Sequence, residues 1–175
     1  AVGEVRSDIQ FLVNDILMNI KNLEPLFIPV NKVGANPRKA LQIIEETYAK
    51  ELAILVFPSG MVSRKLDKGI GDLEWQKSFI ARAKKYQKDI IPVHIEGRNS
   101  NWFYNLSKWR SKLGVKANLE MFYLADEMFK QRGKTITIRF GEPVPWQTFD
   151  KSKSLVEWAE YMRSLTYALP QKMKK

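Results

Sequence analysis

The feature that most constrains the fold is the run Leu52-Ala53-Ile54-Leu55-Val56-Phe57, which leads directly into Pro58-Ser59-Gly60. Six apolar residues without alternation, bounded by Glu51 and a turn signal, predict a strand covered on both faces, as in a helix-wrapped sheet. The carboxyl end of such a strand is where ligands collect in α/β folds. Here that end carries Gly60, which lets backbone approach a ligand, the hydroxyls of Ser59 and Ser63, and two cations, Arg64 and Lys65. Phe57, Pro58, Ser59, Gly60, Ser63, Arg64 and Lys65 are therefore expected to line a mouth suited to an anionic head group.

Hydrophobic periodicity predicts four more strands, at 9–13, 26–30, 90–95 and 135–140, beside the one at 53–57. Helices are expected at 15–23, 37–50, 73–87, 101–113, 119–132 and 154–169. The alternation predicts an α/β fold, a mixed central sheet wrapped by helices. Pro37 suits a first helical turn, and Gly114 and Gly133 suit stops. Leu155, Trp158, Met162, Leu165 and Leu169 recur at steps of three or four and predict a final helix docked on the body. Asn31 and Lys32, just past the second strand, are expected at the same mouth, with a polar turn as the alternative. With no repeat or linker, 1–170 reads as a single domain and 171–175 as a frayed tail. A strand pattern starting so soon after Ala1, with no initiator methionine, predicts a boundary inside a domain, an N-terminally truncated fold.

Lys and Arg number 29 against 19 Asp and Glu, a net charge of +10 that favours phosphate-bearing partners: lipid, nucleic acid, coenzyme or an acidic carrier protein. The absence of cysteine excludes disulfides and thiolate metal sites. No apolar run approaches the roughly 20 residues of a membrane span. Gly69-Ile70-Gly71 follows a charged loop and lacks the third glycine of a dinucleotide fingerprint. No Walker loop, zinc spacing, HExxH or GxSxG occurs, so no metal is expected. His94, the sole histidine, lies at a strand end with Glu96 on the same strand face, and a structural role is favoured over general-base catalysis. Arg82, Lys84, Lys85 and Lys88 read as the solvated face of a helix whose Phe79, Ile80 and Ala83 point inward, and no nucleic-acid partner is expected. In the helix at 101–113, Trp102, Phe103 and Trp109 form an apolar stripe beside Lys108, Arg110 and Lys112. That stripe suits either an anionic membrane interface or a core with a basic rim.

Phe57-Pro58-Ser59-Gly60 with Ser63-Arg64, followed by a helix and Ile91-Pro92-Val93, resembles the third and fourth sequence blocks of the glycerolipid (lysophosphatidate-type) acyltransferases. Glu24-Pro25-Leu26-Phe27-Ile28-Pro29-Val30-Asn31-Lys32 falls where that family carries its acceptor-binding second block. The strings Asp72-Leu73-Glu74-Trp75-Gln76-Lys77-Ser78-Phe79-Ile80 and Gly97-Arg98-Asn99-Ser100-Asn101-Trp102-Phe103-Tyr104 resemble the hemolysin-like bacterial branch, associated with acylating lyso-aminolipids such as lyso-ornithine. Two departures stand out. Ser59 replaces the glutamate of the usual Phe-Pro-Glu-Gly, and no arginine follows Phe27-Ile28 in the second block, which makes lysophosphatidate a less secure acceptor. The family's His-x-x-x-x-Asp block does not occur in the chain either, since four residues separate His94 from Asn99.

The resemblance implies transfer of an acyl group from acyl-carrier protein (acyl-ACP) or coenzyme A (acyl-CoA) to the hydroxyl of a lysolipid acceptor, with no cofactor because the thioester is already activated. It also implies a catalytic His/Asp dyad upstream of Ala1, no catalytic residue within the chain, and no turnover by the 175 residues alone. A peripheral position on the cytoplasmic face of the membrane is expected, with a non-catalytic lipid-surface module as the alternative.

Overall fold

The computed structural model describes residues 6–13, 21–29, 37–67, 69–115 and 119–172. Three short strands form a parallel sheet in the order β2-β1-β3: β1 (Ile9–Val13), β2 (Phe27–Pro29) and β3 (Ala53–Leu55). Phe11 of β1 sits opposite Phe27 on one side and Leu55 on the other. All three strands therefore end at the same sheet edge, from which the chain after β3 departs. The helix α1 (Pro37–Tyr48) packs Ile44 and Tyr48 on Ile28, with Leu12 and Ile54 alongside.

After β3 the chain forms a hairpin of β4 (Arg64–Leu66) and β5 (Gly69–Gly71), paired antiparallel. Helix α2 (Ser78–Tyr86) follows, burying Phe79, Ile80 and Ala83. The strand β6 (Val93–Ile95) pairs antiparallel with β7 (Ile138–Phe140), with Ile90 bridging Val144 beyond them. Between these two strands lie α3 (Asn101–Lys112), a 3-10 turn at Leu119–Tyr123 and the short α4 (Leu124–Phe129). The last helix, α5 (Leu155–Lys172), starts with a reciprocal capping box: the Ser154 amide donates to Glu157 at 2.7 Å and the Glu157 amide donates to the Ser154 hydroxyl at 3.2 Å. Trp158, Ala159 and Met162 of α5 meet Phe79, Ile80 and Phe149 in the main core, with Leu155 and Leu165 at its edge. Tyr86 of α2 stacks on Tyr48 at 6.0 Å, so α2 joins the two cores.

The α/β class stands as expected, and among the described residues its strands form a three-stranded parallel sheet and two antiparallel pairs. The strand expected to 57 ends at Leu55, and the helix expected from 73 begins at Ser78. The reason is local: the Gln76 amide donates to the Pro58 carbonyl at 2.9 Å and the Trp75 indole donates to Asp72 at 3.1 Å, which commits residues 72–77 to the loop. The helix expected at 119–132 splits into a 3-10 turn and six α-helical residues. Of the helix expected at 15–23, residues 15–20 lie outside the described residues, and Lys21–Leu26 is a 3-10 turn. Helix α5 continues through Lys172, into the expected tail, and 173–175 lie outside the described residues.

Candidate functional site

The loop from Phe57 to Lys65 leaves the carboxyl edge of the parallel sheet and returns as β4. Gly60 stands at φ +62°, in the left-handed region that glycine adopts without a Cβ penalty, and its amide donates to the Phe57 carbonyl at 2.9 Å to close a tight turn. Ser59 fastens the next step, donating its hydroxyl to the Met61 carbonyl at 2.6 Å. Ser63 donates to Asp72 Oδ1 at 2.6 Å. Both hydroxyl protons thus go to bonds that shape the loop itself. Each oxygen keeps acceptor capacity.

Asp72 is the organising residue that sequence reasoning missed. Its carboxylate takes Ser63 and the Trp75 indole, its amide donates to the Tyr167 hydroxyl at 3.0 Å, and its carbonyl accepts from Arg163 at 3.2 Å. The last helix therefore holds the loop through one residue. No local spacing signals this, because Ser63 and Tyr167 lie nine and 95 positions away.

Arg64 is not a free cation at a mouth. It is buried, and its guanidinium meets Glu120 at 2.9 Å while Arg110 of α3 meets the same carboxylate at 2.8 and 3.2 Å. Glu120 has no exposed surface. Burial opposes its charge, yet its own backbone amide and the two arginines outweigh that and hold its carboxyl below the usual range. Burial pulls Arg64 in the opposite sense, lowering its pKa against the attraction of Glu120. Two guanidiniums face one carboxylate, and Arg64 Nη1 has no hydrogen-bond partner among the described residues. Arg64 is thus anchored inward, on Glu120 and beside the Phe103 ring. Lys65 is exposed and reaches Asn105 of α3 at 3.1 Å, and Phe57 is exposed beside the turn.

The structure brings together Phe57, Pro58, Ser59, Gly60, Ser63, Arg64 and Lys65. Asn31 and Lys32 lie outside the described residues. Phe103 corrects the expected membrane-facing stripe: it is 0% exposed, with the Arg64 guanidinium 5.9 Å from its ring centroid, whereas Trp102 and Trp109 do face outward. His94 lies opposite Arg139 in the β6–β7 pair, edge-on to Tyr167 at 5.9 Å. Glu96 pairs with Arg139 rather than with His94. No cluster of metal-binding side chains occurs among the described residues, nor any helix long and apolar enough to cross a membrane.

Comparison with known proteins adds a family to this geometry. Residues 2–174 match the model of a family described as acyltransferase. A lyso-glycine lipid O-acyltransferase of Bacteroides thetaiotaomicron is 47% identical over 161 residues, covering 92% of this chain and 59% of the relative. The protein of the same name from Phocaeicola vulgatus is 45% identical over 162 residues, 93% of this chain and 58% of its own. The chain thus spans less than two thirds of the length of these relatives. No solved structure matches it.

Proposed function

The chain belongs to this acyltransferase family, and from that membership we propose that it supplies the acceptor-binding portion of an O-acyltransferase acting on a lysolipid of the glycine-lipid kind for which its relatives are named. In the reaction the acceptor hydroxyl oxygen attacks the thioester carbonyl carbon, the C–O ester bond forms, the C–S bond breaks, and the thiol leaves with the proton the hydroxyl gives up. The donor is an acyl-carrier-protein or coenzyme A thioester, and the net charge of +10 suits either phosphate-bearing carrier. A thioester needs no metal or redox cofactor for this exchange.

The observation that supports the reading best is the loop at 57–65, set at the carboxyl edge of a parallel sheet and held by Asp72 and Glu120. Arg64 and Lys65 next to the turn, in a chain of net charge +10, favour an acidic head group, such as the carboxylate of an amino-acid lipid. By the resemblance noted above, Asn31 and Lys32 belong to the acceptor-binding second block. The base that takes the hydroxyl proton, by the resemblance noted above, is the histidine of a His-x-x-x-x-Asp block, which these 175 residues do not contain.

Lipid analysis after deletion of the gene tests the proposal, with accumulation of the lysolipid and loss of its O-acylated form expected. An unchanged lipid profile refutes it. In vitro, the 175-residue chain is expected to bind lyso-glycine lipid without turning it over. Robust turnover by that chain overturns the role given to the histidine block.

A further inference from the structure

Helix α3 is apolar on two sides. At about 100° per residue, Phe103, Tyr104 and Ser107 share the inward face, and all three are buried. Trp102, Trp109 and Leu113 fall in a sector about 40° wide on the opposite side. They are exposed, Trp109 by 66% and Leu113 by 79%. Trp102 meets Tyr123 edge-on at 4.4 Å, which carries the outer surface onto the 3-10 turn, where Phe122 is 84% exposed. Met128 and Phe129 of α4 are exposed as well. The outer face of a helix on a soluble domain is ordinarily polar, and an apolar surface of this extent marks an interaction site.

The segment that carries this surface is net basic. Residues 98–134 hold eight Lys or Arg against three acidic residues, half of the chain's net +10. Two of those acids, Glu120 and Glu127, are buried and paired inward, and the third, Asp126, pairs with Lys130 at 2.6 Å. Lys108 and Lys112 are exposed along one flank of the stripe.

We propose that the outer surface of α3, the adjoining 3-10 turn and α4 docks on an anionic lipid bilayer. Trp102, Trp109 and Phe122 enter at head-group depth, and Lys108 and Lys112 sit on the lipid phosphates. An acidic protein would complement the lysines but leave the indoles and the phenyl ring without an apolar partner, whereas a bilayer interface meets both. The inference rests on the exposed face and its charge, and is independent of the acyl-transfer reaction.

The test is vesicle sedimentation with the protein as its gene encodes it, on equimolar phosphatidylcholine and phosphatidylglycerol against phosphatidylcholine alone. Binding is expected only to the anionic vesicles. Trp109→Ala and Phe122→Ala are each expected to weaken it roughly tenfold, from the apolar area each ring withdraws from water. Lys108→Glu with Lys112→Glu should cost more than about twentyfold. All four side chains are exposed, so unchanged thermal midpoints separate lost docking from lost folding. Equal binding of wild type and variants overturns the proposal, as does equal binding to both vesicle types or no binding at all. It is overturned too if the Trp109 and Phe122 variants instead lose affinity for purified acyl-carrier protein or change only the oligomeric state.

Discussion

Replacing Glu120 with glutamine keeps the side chain's shape and removes the carboxylate that Arg64 and Arg110 share. Two guanidiniums are then left in a site where Glu120 itself has no solvent exposure and Arg64 already has an unpartnered nitrogen among the described residues. Breaking a buried ion pair by removing one partner costs about 3–5 kcal/mol. Arg110 keeps its bond to the Val115 carbonyl at 2.6 Å and is slightly exposed, so the lower end, about 3 kcal/mol, applies here. That is a large share of the roughly 5–15 kcal/mol that holds a domain folded. With a urea slope of about 2 kcal/mol per molar, the unfolding midpoint should fall by about 1.5 M. Adding Arg64→Met should restore part of the loss, because the orphaned cation goes with it, and the double variant should sit at least about 1 kcal/mol above the sum of the single effects. A midpoint shift under about 0.3 M, or strict additivity, refutes the account of a buried, charge-held loop.

Asp72→Ala leaves the Ser63 hydroxyl and the Trp75 indole without their acceptor, and should cost about 2 kcal/mol in urea unfolding. The same variant should weaken lyso-glycine lipid binding in a titration, because the loop at 57–65 loses its clamp. Phe103→Ala should cost about 3–5 kcal/mol, while Trp109→Ala, six positions on but exposed, should stay within about 0.5 kcal/mol. Parallel thermal melts compare the two. The Glu45 carboxylate takes Lys85, Tyr86 at 2.7 Å and Arg82 at 3.2 Å, which lower its pKa from 4.5 to about 2. Because the folded value is depressed, its stabilisation is present above pH 4.5 and is lost as pH falls toward 2. Glu45 is about one third exposed, and solvent screening reduces the effect to about 1 kcal/mol. Urea midpoints of wild type and Glu45→Gln should therefore differ at pH 6 by about that much and converge near pH 2.

How much of this was legible in the sequence varies with the range of the forces involved. Strand β1, helix α1 and the stripe of α5 follow from periodicity, and Ser154 and Glu157 announce their capping box three residues apart. The hairpin β4–β5 was not legible, because Arg64-Lys65-Leu66 and Gly69-Ile70-Gly71 offer neither apolar alternation nor bulk. Gly69-Ile70-Gly71 read only as an incomplete dinucleotide fingerprint after a charged loop. On α3, Trp102, Phe103 and Trp109 were apolar candidates for either face, and nothing local decides which side meets the core. Arg64 read as a ligand contact because its counter-ion, Glu120, lies 56 positions downstream. The loop at 57–65 was found from its Pro-Ser-Gly turn, but its internal bonds and its tie to Asp72 are tertiary facts.

Helix α3 meets Arg64 on its inner side, through the Phe103 ring and, by way of the shared Glu120, through Arg110, while its outer side carries the tryptophans. The distance from the loop's anchor to the outer rim is therefore one helix thickness, about 10–12 Å. One helix thus ties the buried anchor of the loop to the molecule's outer surface, so a shift of α3 moves both together.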